Sequence, residues 1–271
     1  MQRVLTAAVG APLVVAAVFL LPPLGFFLFI AVLVELAAWE YIGIVRPRAA
    51  HAPLRLLLLL VPLAAGWLFR ALGPDHALGR LELLAVAAGF SLGLGSLLLL
   101  SRTPLEESIA GLGILGFGVA YLALPLASIA QLQQADPWLV FLLMAIVWLG
   151  DTAAYYVGSR LGRHKMAPTI SPKKTWEGSA AGFAAAVGSA AVWSLWRLGR
   201  LHPGILAVAA ATAVASQLGD LVESMIKRGA GVKDSGNSLP GHGGFLDRID
   251  AMLFAAPMML LGVWLLHLES L

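Results

Sequence analysis

The sequence predicts an all-α, polytopic integral membrane protein with about nine transmembrane helices and a cytoplasmic N-terminus. Three observations predict it. Hydrophobic residues make up 59% of the 271, charged residues only 12%, and the mean hydropathy is +0.86, far outside the soluble range. Apolar runs of the roughly 20 residues that cross a bilayer as a helix recur along the chain. Lys and Arg gather in alternate loops, as they do around membrane spans. A soluble fold of this composition would need several fully buried helices with almost no wet surface.

On the bilayer ruler the spans are 4–21, 24–45, 54–70, 81–100, 107–129, 137–157, 179–196, 203–224 and 249–268. Arg3 followed by Val4–Leu21 has the look of a signal peptide. The run is long, shows no small-x-small cleavage site and is followed by further spans, so a retained first helix is expected. The second span carries Glu35 and Glu40, and the third is short. The fifth is introduced by Thr103-Pro104-Leu105-Glu106, a capping box with proline at the first helical position. Asp136-Pro137 and His202-Pro203 introduce the sixth and eighth. No internal repeat, low-complexity tract or separable soluble domain is visible. The chain divides into N-terminal transmembrane helices, 1–135, and a region of helices with large polar loops, 136–271.

With the N-terminus inside, the cytoplasmic segments hold Arg3; Arg46, Arg48 and Arg55; Arg102; Arg160, Arg163, Lys165, Lys173 and Lys174; and Lys227, Arg228, Lys233 and Arg248. The opposite side holds Arg70, Arg80, Arg197 and Arg200. Fourteen against four sets the orientation, and an odd number of spans puts the C-terminus outside. Both charge-rich loops then share the side on which soluble nucleotides are found. The absence of cysteine excludes disulfides, thiolate metal sites and a cysteine nucleophile. A pI near 9.4 suits anionic lipid headgroups. No basic, aromatic-interleaved soluble domain exists to bind nucleic acid.

Three polar clusters interrupt the apolar background: Gly150-Asp151-Thr152 inside the sixth span, Ser171-Pro172-Lys173-Lys174-Thr175-Trp176-Glu177-Gly178 before the seventh, and Gln217-Leu218-Gly219-Asp220 through to Asp250. Asp220, Glu223 or Ser224, and Lys227 follow i, i+3/i+4, i+7 and share a helix face. Asp247 and Asp250, three apart, open the last span. Carboxylates on two helices across a glycine-rich loop make a plausible cage for Mg²⁺, a hard cation that prefers oxygen ligands. Gly241, Gly243 and Gly244 let backbone N–H groups approach phosphate oxygens. Lys173, Lys174, Lys227, Arg228, Lys233 and Arg248 supply charge for more than one phosphate.

Each residue alone has a plainer reading. Lys227 and Arg228, or Lys173 and Lys174, serve equally as juxtamembrane anchors. His242 alone reads as a hydrogen-bonded loop histidine. Asp151 could pair with Arg160 and Asp220 with Lys227. Glu35 and Glu40 read as structural, and the eight tryptophans as packing and interface anchors. Clustering decides otherwise. Anchors do not require four acids, six bases and a glycine loop on one face of a membrane.

Ser224, Lys227-Arg228, Lys233-Asp234, Pro240, His242-Gly243-Gly244, Asp247-Arg248 and Asp250 together resemble the signature of the phosphatidate cytidylyltransferase (CDP-diacylglycerol synthase) family, at every fixed position of a 27-residue pattern. Gly158–Gly178 resembles the bacterial form, as does Gln217–Ser224. The likeness covers roughly residues 148–258, and the N-terminal half agrees only in being several membrane helices. Where the family has Ala-Asp-x-Gly near the sixth span, this chain has Gly150-Asp151-Thr152-Ala153; where Ser or Gly often follows the last aspartate, it has Ala251.

The resemblance implies transfer of the cytidylyl group of CTP to phosphatidic acid, giving CDP-diacylglycerol and pyrophosphate, with 136–271 as the catalytic region. It implies Asp220, Asp247 and Asp250 as ligands of a two-metal Mg²⁺ centre, with K⁺ as a candidate second ion. Lys173, Lys174, Lys227, Arg228, Lys233, His242 and Arg248 would take catalytic roles, and Ser171, Ser224, Asp151, Gly243 and Gly244 would bind substrate. A homodimer in the bacterial cytoplasmic membrane, its active site on the cytoplasmic side, is the family expectation. A cytidylyltransferase acting on an ether lipid phosphate would share much of this chemistry. A CDP-alcohol phosphotransferase would need an upstream Asp-Gly…Ala-Arg half that is missing before Asp247. A secondary transporter would need paired repeats of broken helices, and none is visible.

Overall fold

A computed structural model of the protein describes residues 2–45, 105–236, 238 and 243–268. Its helices are α1 (Gln2–Leu20), α2 (Pro23–Ile44), α3 (Leu105–Ala135), α4 (Pro137–Leu161), α5 (Trp176–Leu198), α6 (Pro203–Gly229) and α7 (Leu246–Leu265). Two strands, β1 (Lys165–Ala167) and β2 (Ser171–Thr175), lie between α4 and α5. Among the described residues six helices are long and apolar enough to cross a membrane, namely α2, the Gly116–Ala135 part of α3, and α4 to α7. The expected spans 54–70 and 81–100, the charges Arg46 to Arg102, Thr103-Pro104 of the capping box, and Gly241 and His242 lie outside the described residues.

Seven expected spans fall on described helices, and the differences are at the ends. Helix α3 runs to Ala135, α4 to Leu161 and α6 to Gly229, each four to six residues past the apolar run. Hydropathy marks where hydrocarbon ends, whereas the i→i−4 hydrogen bonds continue through the polar residues beyond it. Helix α7 begins at Leu246, so Asp247 and Asp250 both lie in its opening turns. The hairpin was not among the expected elements. Its antiparallel strands pair Lys165 with Thr175 and Ala167 with Ser171, too short a stretch for an alternation pattern to show.

The chain forms two compact units, the first comprising residues up to Gln131 with Gly229–Arg248, the second Leu132–Arg228 with Ile249–Leu271. In the first, α2 presents an exposed stripe of Leu24, Leu28, Val32, Leu36 and Trp39, suited to lipid. Its other face buries Phe26, Ile30, Val34, Ala37 and Tyr41. The Tyr41 hydroxyl donates to the Ile114 carbonyl of α3 at 3.1 Å, and Tyr121 of α3 lies 6.3 Å from the Tyr41 ring.

The second unit is held by small residues at close helix crossings. Gly150, Ala154 and Gly158 of α4 meet Gly178, Gly182 and Ala186 of α5 in antiparallel order. A Cβ on Gly182 would stand 2.8 Å from the Gly150 carbonyl, and one on Gly178 2.8 Å from the Ala154 carbonyl. Apolar driving force between helices is weak in lipid, so backbones packed this closely supply the attraction instead. Helices α6 and α7 repeat the device. Gly219 abuts the Asp250 carbonyl and Phe254, and Gly262 abuts Val208.

Candidate active site

The second unit draws acids from three helices into one electrostatic neighbourhood. Asp151 of α4 interacts with Asp220 of α6, and Asp250 of α7 with Asp220, Glu223 and Asp151. Asp151 is exposed, Asp220 and Asp250 partly so. They lie ten residues before the end of α4, nine before the end of α6 and four after the start of α7. At 1.5 Å per residue, the first two are set back from their helix ends by about 13–15 Å. A cavity of ≈ 20 Å³ lined by Gly150, Asp151, Ala154, Gly182, Ser216 and Gln217 opens beside Asp151, room for about one water.

The hairpin brings cations to these acids. Lys174 is partly buried while its neighbour Lys173 is exposed. The Lys174 ammonium lies 2.7 Å from Asp220 and also attracts Asp151. Thr175, which ends β2, is the N-cap of α5, its side chain accepting the Gly178 N–H at 3.2 Å. That cap fixes the start of α5 directly behind Lys174. Ser179 and Gln217 hydrogen-bond α5 to α6, and Arg228 Nε donates to the Ile170 carbonyl of the hairpin turn at 3.4 Å. At the hairpin's base His164 Nδ1 lies 2.6 Å from Glu177. Ser171 is partly exposed on the same strand as the lysines.

Helix α6 settles its own pairings by spacing. The Ser224 hydroxyl donates to Asp220 at 3.4 Å, and Lys227 pairs with Glu223 one turn back. Lys227 therefore does not pair with Asp220. Nor does Asp151 pair with Arg160, whose guanidinium stands over the Tyr156 ring at 5.7 Å. Glu223 is 1% exposed, which makes the Glu223–Lys227 pair a deep one. Sequence reading treated Glu223 as interchangeable with Ser224; its i+4 lysine was the signal that separates them.

The first unit holds the middle of the signature, Gly229–Arg248. Asp247 accepts the backbone N–H groups of Ser235 and Gly244, both at 2.9 Å. Glu40, reaching from α2, accepts the N–H groups of Phe245 and Leu246, both at 2.8 Å, and the Ser235 hydroxyl at 2.9 Å. Gly243 has φ +80°, a conformation that favours glycine. Gly244 packs so closely against Ser235 and Glu40 that no side chain fits there. Lys233 and Arg248 are exposed. Sequence reasoning took Glu40 as structural in its own span. A carboxylate amid apolar neighbours was the only signal available, and it did not say what the group holds.

The donor chemistry fits a hard divalent cation, since Asp151, Asp220 and Asp250 offer only oxygen and repel one another. Among the described residues no three acidic or histidine side chains close into a cage. Mg²⁺ does not require one: it keeps several waters and commonly takes one or two carboxylates plus substrate phosphates.

Fold and site define a helical membrane protein with acids of three helices gathered around a lysine. Residues 1–266 match the cytidylyltransferase family, and the chain belongs to it. It is 32% identical to a phosphatidate cytidylyltransferase of Haemophilus influenzae, over 94% of this chain and 96% of that protein. Identity to the Pseudomonas aeruginosa protein of the same name is 34%, over 97% and 96%. A third so named, from Bacillus subtilis, is 38% identical over 60% of this chain and 63% of its own length.

Proposed function

We propose that this protein transfers the cytidylyl group of CTP to phosphatidic acid, releasing pyrophosphate and forming CDP-diacylglycerol for phospholipid synthesis. The observation that carries the reading is the Lys174 ammonium on Asp220, beside Asp151 and Asp250, in a chain whose family and full-length relatives are cytidylyltransferases. A phosphate oxygen of the lipid attacks the α-phosphorus of CTP; that P–O bond forms as the bond to the β-phosphate breaks, and its electron pair leaves with pyrophosphate. The nucleophile is already ionised, so no general base is required. Catalysis is then positioning and charge neutralisation.

Lys174 holds its charge at the acids, and Lys173 presents a second on the solvent side of the same strand. Lys227, Arg228, Lys233 and Arg248 add charge for the triphosphate and the lipid phosphate. Ser171 and Ser224 donate hydrogen bonds, Gly243 and Gly244 offer backbone N–H groups, and His242 joins them on the sequence pattern. Asp220 and Asp250 hold Mg²⁺, Asp151 assists, and Asp247, three residues before Asp250, is assigned with them on the sequence pattern alone. The ion, with a second Mg²⁺ or K⁺, would neutralise phosphate charge. The site faces the cytoplasm of a bacterial inner membrane, supported by the lysine and arginine count, and the family resemblance supports a homodimer.

Purified protein given phosphatidic acid and CTP labelled at the α-phosphate tests the reading. Label entering lipid, with one pyrophosphate released per lipid, is expected. Label that stays in nucleotide sinks it.

A further inference from the structure

Helix α7 starts in an unusual way. The first amides of a helix lack intrahelical partners, and a side chain close in sequence normally caps them. Here Glu40 does so from α2, 205 and 206 residues away from Phe245 and Leu246. It is 4% exposed, and each carboxylate oxygen accepts one of these N–H groups. The Ser235 hydroxyl extends the arrangement, donating to Glu40 and accepting the Asp247 N–H at 3.3 Å. Asp247 in turn holds the Ser235 and Gly244 amides. One carboxylate therefore ties two separated parts of the signature, Ser235 and Phe245-Leu246. Neighbouring glycines let the backbone come close to it: a Cβ on Gly236 would lie 2.8 Å from Glu40 Oε1.

We infer that Glu40 is a positioning residue for cytidylyl transfer, setting the backbone from which Asp247 and Arg248 project. The inference rests on the function proposed above. A group that only stabilised the fold would change the amount of folded protein and leave the turnover of each folded molecule alone. A group that positions reacting partners changes kcat, because misplacement of about 1 Å costs on the order of 100-fold in rate. Gln at this position keeps the shape but replaces one accepting oxygen with a donor, which then faces an N–H or the Ser235 hydroxyl.

The experiment uses the full chain in lipid–detergent micelles: wild type, Glu40→Gln and Ser235→Ala. CDP-diacylglycerol formation is followed over a range of CTP, and folded fraction and Tm are measured on the same samples. Per folded molecule, Glu40→Gln is expected to lose about tenfold or more in kcat, with KM for CTP within about twofold. Ser235→Ala is expected to lose a smaller factor in the same parameter. Wild-type kcat in Glu40→Gln, or a loss that tracks folded fraction alone, overturns the inference. Should Glu40→Gln not fold, Ser235→Ala decides, and wild-type kcat there overturns it equally. A wild type that makes no lipid nucleotide removes the function and the inference with it; an active wild type with equally active variants removes the inference alone.

Discussion

The carboxylates of the two units live under opposite conditions. In the first, Glu40 and Asp247 each accept backbone N–H groups at 2.8–2.9 Å. In the second, Asp151, Asp220 and Asp250 lie within each other's repulsion, relieved by the Lys174 ammonium. A carboxylate held by amides orders the backbone around it, because those N–H groups already answer its charge. Acids that repel one another lower the stability of the empty protein and regain it when positive charge arrives. Such a cluster suits a ligand that brings positive charge, and the proposed Mg²⁺ is one.

Exchanging acid for amide should break this comparison most sharply. Asp250→Asn removes one of the repelling charges. Turnover should fall by about 100-fold or more, while Tm without divalent cations rises by about 1–3 °C. Glu40→Gln should move Tm the other way, since it withdraws an acceptor from a buried donor. Thermal unfolding of both variants, with and without Mg²⁺, measures the contrast. Equal destabilisation by the two would mean that the cluster of the second unit orders the backbone as well. The same cluster makes Mg²⁺ itself a stabiliser: its removal by chelation should lower the Tm of wild type more than that of Asp250→Asn.

Packing separates the units in a different respect. Gly182→Leu would drive a side chain into the Gly150 carbonyl, since even a Cβ there stands at 2.8 Å. Overpacking of this kind costs about 1–3 kcal/mol, and because it displaces the helix next to Asp151, activity should fall several-fold along with Tm. Gly188, with nothing within 4 Å of an added Cβ, is the matched control on the same helix. Because Ala also favours helix over Gly, a Gly188→Ala protein that loses as much as Gly182→Leu would show that the close approach to Gly150 is not what limits α5.

Hydropathy and charge made the helices and their order legible, because in a bilayer composition and span length are nearly the same statement. Within α6, spacing alone brought Asp220 to Ser224. It could not choose between Glu223 and Asp220 as the partner of Lys227, since i+4 and i+7 both place residues on that face. Pairings between distant segments stayed hidden. Nothing local announces that Lys174, in a short strand, reaches Asp220, or that Glu40 caps a helix some 200 residues on. The glycine and alanine stripes of α4 and α5 were visible at i, i+4, i+8, but in an alanine-rich chain they do not stand out.

Within the hairpin, Lys174 and Lys173 give the next contrast. Lys174→Ala takes the ammonium from Asp220, and kcat should fall about tenfold or more. Lys173→Ala removes only an exposed charge, so its effect should appear as a KM increase of a few-fold for CTP or phosphatidate. Steady-state kinetics over both substrates checks the split. If the two variants behave alike, the contact of Lys174 with Asp220 has no functional meaning.

The smallest effect belongs to the base of the hairpin. His164 Nδ1 and Glu177 Oε1 stand 2.6 Å apart, but the histidine side chain is 78% exposed, and an exposed pair of this kind contributes little. His164→Ala should therefore leave kcat within about twofold. Glu177 does more, because its carboxylate also accepts the backbone N–H of His164 at 3.3 Å and sits in the first turn of α5, where negative charge is favoured. Glu177→Ala loses all three interactions, while His164→Ala keeps the backbone bond and the charge at the helix start. A larger loss from His164→Ala than from Glu177→Ala could not come from the orientation of the hairpin. It would make the imidazole itself a group that meets the phosphates.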